Sequence, residues 1–408
     1  KVDKAKGCRV YGTDGKRYLD AYAGVASISV GHAHLRVNSR VKKQIDRANH
    51  TSMLYQTHAL QDYLQALQAE LPSYLSRHFF VNSGSEAMDF ACQASRAHRQ
   101  KPLLLAFSEG FHGGSFLTKS ITGLDAWQPV YGQDPNVAFL PIRSCRYCPQ
   151  SGWKRSSKRL TPLLRGCSAD CLAPLETILK GRQQEVAGLI LEPVLGVGGI
   201  IVPCLGFFER VQILVKKYKI DLIVDEVQSG FGRCGRHMFA FETFGLKPDI
   251  LCMGKGIANG FPMGLVSSTE EVSAAMSGKP HFSTFGGNPV SCAAALATLE
   301  VLLDEKLLLN AQNTGEHLMQ QLDELLMRRS AVKEIRGLGL MIGIELDTPE
   351  RASLVLELCY QKGLLIGLGG RDRTVLRIEP PLSFTAIMAM KTAEIIVEAV
   401  DETIETLG

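Results

Sequence analysis

The chain has 408 residues, 45% of them hydrophobic and 21% charged, with a formal net charge of +4. That length allows a large buried core and more than one domain. So small a charge gives no reason to expect nucleic acid or an anionic membrane as partner, and no uninterrupted apolar run is long enough to span a bilayer.

The eleven cysteines are mostly isolated in apolar segments, as at Cys92, Cys252, Cys292 and Cys359. That usage suits reduced thiols in a cytoplasmic or mitochondrial-matrix enzyme better than a secreted disulfide framework.

In chain order, "CRVYGTDGKRYLDAYAGVASISVGHAHL" places a Thr13-Asp14-Gly15 turn between two short β-like runs and predicts a hairpin or meander. A helical pattern is expected over 40–71. "HFFVNSGSEAMDFACQASRAHRQ" predicts a strand, a Ser/Gly turn and an amphipathic helix. Further strands are expected at "PLLLAF", "VAFLPI", "AGLILEPV", "IDLIVDEV" and "DILCM", with a helix at "GFFERVQILVKKY". Strands alternating with helices imply an α/β fold, with a mostly parallel sheet and helices on both faces. After a helix near 289–303, "VKEIRGLGLMIGIEL" and "GLLIGLGGRDRTVLRIEPPL" predict glycine-broken β structure, and a terminal amphipathic helix follows. The expected division is 1–45 as the first part of a small α+β domain built from both chain ends, 46–300 as the large domain, and 301–408 as the rest of the small one. A polar, cysteine-rich insertion is expected over 144–174.

Ligands of such sheets bind at the carboxyl ends of the strands. The polar residues there are Ser83 to Glu86, Glu192, Asp225 to Gln228, and Lys255. Lys255 lies between glycines after an apolar run, and a buried lysine is costly unless its charge is paired or removed. One route is a Schiff base with a carbonyl cofactor. Taken alone, the commoner reading is a lysine whose head reaches water. Asp225 ends a buried run, where a carboxylate can hold a proton on a pyridine nitrogen; a helix cap is the bland alternative. Val227, two residues on, shares its face and can press on a ring, and Gln228 can then reach a phenolic oxygen.

Ser83, Gly84 and Ser85 sit at a strand-to-helix turn whose free N–H groups suit a phosphate, although plain capping explains them too. Phe111 and His112 precede two glycines, where an aromatic can stack on a ring. Thr284 offers a hydroxyl before a Gly-Gly-Asn-Pro turn. Arg377, held in a β-like segment before two prolines, suits a bidentate grip on a carboxylate.

Taken together and in this order, "NSGSEAMDFA", "FHGGS", "LILEPV", "VDEVQSGFGRCGRH", "KPDILCMGKGIANGFPMG", "TFGGNPVSCAAAL" and "LRIEPPL" resemble the class III aminotransferases, which are fold-type I pyridoxal-phosphate enzymes. The resemblance implies pyridoxal 5'-phosphate as cofactor and transfer of an amino group to a small keto acid such as pyruvate or glyoxylate. It implies Lys255 as the Schiff-base lysine and Asp225 on the ring nitrogen. Val227 and Phe111 would sandwich the ring, with Gln228 on the phenolic oxygen. Ser83, Gly84, Ser85, His112 and Glu192 would complete the cofactor site. Thr284 would bind phosphate from the partner subunit of a homodimer, which can assemble further. Arg377 would bind substrate carboxylate, with Val25, Tyr55 and the loop near Arg371 around the substrate. A lyase, such as an amino-phosphate phospholyase, a decarboxylase or an aminomutase on the same scaffold is the alternative.

Two departures carry consequences. Leu195 and Val197 stand where many members have a glutamine and a glutamate, the latter pairing with the carboxylate-binding arginine. Arg377 is therefore expected to lack a local counterion and to favour α-amino and α-keto acids. The insertion resembles that of the alanine–glyoxylate aminotransferase 2 branch. Cys145, Cys148, Cys167 and Cys171 could hold a metal, although reduced thiols or disulfides are the plainer expectation.

Overall fold

The computed structural model describes residues 1–142, 144–145, 169–278, 281–326 and 328–407. Its centre is a seven-stranded sheet. In spatial order the strands are Arg77–Val81, Gly264–Ser268, Ile250–Met253, Asp221–Asp225, Val186–Leu191, Leu103–Phe107 and Val137–Leu140. Gly264–Ser268 runs antiparallel to both neighbours, and the other pairings are parallel. Six strands therefore point the same way, and their carboxyl ends share one edge.

The apolar runs exist because both faces of this sheet are covered. Ile223, Ile250, Cys252 and Ile190 pack into one core with Ala87, Met88 and Ala91 of helix Gly84–Arg99. Their strand neighbours Leu222, Val224, Leu251 and Leu189 enter the opposite core with Phe208, Val211 and Leu214 of helix Leu205–Tyr218. Alternation with period two thus splits each strand between two helical layers.

Two smaller sheets hold the ends of the chain. Val2–Lys6, Arg9–Gly12 and Arg17–Asp20 form an antiparallel meander, and Leu364–Leu365 joins it parallel to Arg17–Asp20. Val332–Leu338, Met341–Leu346, Val375–Ile378 and Gly367–Gly369 form an antiparallel sheet. The single helical pattern expected over 40–71 is two helices, Leu35–Arg47 and His58–Glu70. Thr57 caps the second by accepting from Leu60 N–H, which starts a new helix where the pattern alone suggested continuity.

Among the described residues no helix is long and apolar enough to cross a membrane. Of the insertion's cysteines, Cys145 and Cys171 are described, whereas Cys148 and Cys167 lie outside the described residues. Among the described residues no cluster of three or more His, Cys, Asp or Glu could hold a metal ion.

Glu226, directly after the Asp221–Asp225 strand, is fully buried. It accepts from Ser229 Oγ and Phe241 N–H, each at 2.6 Å. Burial, outweighing these bonds, pushes its pKa from 4.5 to about 7. A raised carboxyl favours the protonated form in the folded state. Its contribution is therefore complete below about pH 4.5 and is lost as pH rises through about 7. Glu226→Gln, which mimics the protonated acid, is expected to flatten the stability–pH curve between these values by on the order of 3 kcal/mol. Denaturant titrations at several pH values read this directly.

Candidate active site

Five strands deliver the expected residues to one edge. Arg77–Val81 leads to Ser83–Ser85, Leu103–Phe107 to Phe111 and His112, and Val186–Leu191 to Glu192. Asp221–Asp225 ends on Asp225, and Ile250–Met253 leads through Gly254 to Lys255. A cavity of about 150 Å³ lies between these ends, lined by Gly84, Ser85, Phe111, His112, Glu192, Asp225, Val227, Gln228 and Lys255 among others.

Lys255 stands at φ +40, a left-handed conformation that favours glycine, at the start of the short 3-10 turn Lys255–Ala258. Its Nζ donates to Gln228 Oε1 at 2.9 Å. Burial, with the nearby Arg377 charge, lowers its pKa from 10.5, although Glu379, Asp225 and Glu192 pull the other way. A lysine so placed reaches its neutral, nucleophilic form more readily than an exposed one.

Asp225 is buried and held from two sides. Val227 N–H donates to Oδ1 at 3.0 Å, and His112 Nδ1 donates to Oδ2 at 2.8 Å. Burial works to lower the His112 pKa, but the bond to Asp225 and the charges of Asp225 and Glu192 leave it raised. Glu192 accepts from Phe111 N–H and Gly196 N–H, both at 2.9 Å, and so anchors the loop bearing Phe111. Burial lifts its pKa to about 7.

Ser83 caps helix Gly84–Arg99 through Glu86 N–H at 3.1 Å, which leaves the first N–H groups of a sixteen-residue helix at the cavity. Ser85 Oγ accepts from Gly114 N–H at 2.9 Å. The helix start can come this close to Val227 only as glycine: a Cβ on Gly84 would lie 2.7 Å from Val227 Cγ1. An aromatic ring with a phosphate arm fits this donor set, with a carboxylate for its nitrogen, apolar Val227 and Phe111 beside it, and helix N–H groups for the anion.

The remaining expected residues lie elsewhere. Thr284 is exposed and lies outside its own chain's cavity. Tyr55 is exposed, and Val25, at φ +64, is partly exposed in a left-handed turn that spans Ala23 to Ala26. Arg371 ties down the loop after Leu103–Phe107, bonding Glu109 (3.1 Å), Asp125 (3.0 Å) and Ser108 O (2.7 Å). It borders a larger cavity of about 370 Å³ with Glu109 and Arg336, a cavity lined by none of the candidate cofactor residues.

Arg377 overturns one expectation. It is buried and not among the residues lining the smaller cavity, and it has a counterion: Nη2 lies 2.7 Å from Glu379 Oε2. The expectation considered only the positions of Leu195 and Val197, but the partner lies two residues after the arginine, directly past the end of the strand Val375–Ile378. Glu379 also accepts from Gln228 Nε2, so Gln228 bridges Lys255 and Glu379. The preference for α-amino acids that was inferred from a missing counterion therefore loses its basis.

Residues 1–400 match the family described as Aminotransferase class-III. The chain belongs to the class III aminotransferases. It is 36% identical over 400 residues to an Arabidopsis thaliana protein named alanine–glyoxylate aminotransferase 2 homolog 2, mitochondrial, covering 96% of this chain and 80% of that one. It is also 36% identical to the acetylornithine aminotransferase of Methanothermobacter thermautotrophicus, covering 93% of this chain and 88% of that one. An amine transaminase from an uncultivated Pseudomonas species, solved in its PLP-bound form, superposes with a TM-score of 0.87 at 27% identity, covering 98% of this chain and 93% of that one. This aminotransferase is a fold-type I enzyme and uses pyridoxal phosphate.

Gly84→Ala is expected to drive a methyl into Val227 and so close the cavity, weakening pyridoxal-phosphate binding about ten-fold or more. Fluorescence titration of the cofactor-free protein measures the affinity, and an unchanged melting temperature separates this from unfolding.

Proposed function

We propose that this aminotransferase moves an amino group from an amino donor to a small keto acid, pyruvate or glyoxylate, in two alternating half-reactions. The observation that carries the reading is the convergence of Lys255, with its lowered pKa, and the doubly held Asp225 on one cavity. Pyridoxal phosphate supplies an aldehyde for amines and a ring that stores an electron pair. Lys255 takes and returns the proton at the substrate carbon, a role that needs a neutral amine. Asp225 keeps a proton on the ring nitrogen, and His112 and Val227 N–H fix its two oxygens in place for that work. Gly84, Ser85 and the helix start hold the phosphate. Glu192 keeps Phe111 against the site.

The same reading takes Thr284 as a phosphate ligand for a second copy of the chain. Its exposure, between the exposed Phe282 and Phe285, supports a homodimer with shared sites. It also keeps the division into 1–45, 46–300 and 301–408, which the pairing of Leu364–Leu365 with Arg17–Asp20 supports.

Incubation of the holoenzyme with an amino donor and pyruvate is expected to yield alanine. Lys255→Ala should lower that rate about a thousand-fold or more. Release of ammonia or phosphate without alanine would instead make the protein a lyase.

A further inference from the structure

The turn that carries Lys255 is clamped from outside. It opens on Lys255 at φ +40 and closes on Asn259 at φ +48. Asparagine tolerates the left-handed region, whereas a lysine there is strained. Ser29 to Gly31, 227 to 229 positions earlier in the chain, grip both ends. At the opening, Ser29 Oγ donates to Gly256 O at 2.9 Å. The approach is so close that a Cβ on Gly256 would lie 2.4 Å from that hydroxyl. At the close, the Asn259 side chain bonds twice: Oδ1 accepts from Val30 N–H at 3.0 Å, and Nδ2 donates to Gly31 O at 3.0 Å. Ser29 and Asn259 are both buried, where hydrogen bonds are electrostatically stronger than in water. The gripping stretch is itself pinned. Leu382 N–H donates to Ser29 O at 2.7 Å, and Gly7 and His32 exchange two backbone bonds of 2.8 Å.

A strained backbone persists only where its surroundings over-determine it. Released at Gly256 and Asn259, Lys255 would relax toward negative φ. Its Cβ would then swing and carry Nζ away from Gln228 Oε1, which lies 2.9 Å from it in the clamped turn. We infer that Ser29 and Asn259 are positioning residues: through this turn they hold the Lys255 amine at the point from which it moves the substrate proton. Neither side chain lines the cavity, so both act through Lys255. The inference rests on the transamination reading and assigns residues that set its geometry.

Asn259→Gly removes both amide bonds and keeps a residue at ease at φ +48. Ser29→Ala removes the hydroxyl. Each holoenzyme is mixed with L-alanine, or with n-butylamine where L-alanine is inert, and with the same donor deuterated at its amine-bearing carbon. Loss of the cofactor's visible absorbance gives the rate per bound cofactor. A misplacement of about 1 Å costs on the order of a hundred-fold, so each variant should be slower at saturating donor by about ten-fold or more, with KM little changed. Proton movement is the slowed step, so the isotope effect should rise at least about 1.5-fold. Without donor, a pH titration of the visible band should show its midpoint raised by about half a pH unit or more, because a nitrogen freed from the buried turn keeps its proton to higher pH. A merely structural role would lower the melting temperature or the cofactor content and leave the rate per bound cofactor, the isotope effect and the midpoint unmoved. That outcome would overturn the inference. Should Asn259→Gly fail to fold, Ser29→Ala decides on the same readouts. Wild type reacting with neither donor would overturn the transamination reading, and the midpoint would then decide the positioning by itself.

Discussion

The site is governed by the cost of taking a lysine amine out of water. Lys255 emerges from a fully buried strand into a cavity whose lining includes the carboxylates of Glu192 and Asp225, and burial is the first cause of its lowered pKa. Everything around it compensates for charge. Asp225 is matched by His112, Arg377 by Glu379, and Glu192 by two backbone N–H groups. Gln228 links two of these systems, accepting from Lys255 and donating to Glu379. A change at Glu379 is therefore connected to the reactive amine through a single side chain.

The fold makes this possible by placing strand ends side by side. In register, Asp225 pairs with Cys252, so the next residues of both strands leave the sheet together and bring Lys255 near Gln228. Buried strands hold position to a fraction of a residue because a slip would exchange the contents of the two cores. The carboxylate and the lysine inherit that precision, while the glycine-bearing turns set how closely the helix start approaches.

Much of this was legible in the sequence. Apolar runs ending in Asp225, Glu192 and the Gly-Lys-Gly turn mark buried strands and their mouths, because period-two burial on both faces leaves no polar position until the strand ends. The break between the helices Leu35–Arg47 and His58–Glu70 was not legible, since Thr57 acts through one capping bond. Glu379 was missed for another reason. A carboxylate two residues after an arginine in extended backbone shares its face, a signal present in "LRIEPPL", whereas the family resemblance points to Leu195 and Val197, far away in sequence, for the counterion. His112 was placed by its motif, yet its bond to Asp225 joins positions 113 residues apart and depends on the tertiary fold.

The most direct test is chemical. Borohydride reduction of the holoenzyme should fix the cofactor to one ε-amino group, and peptide mass spectrometry should find it on Lys255 alone. A label on another lysine, or none on a protein shown to have bound the cofactor, would contradict the account.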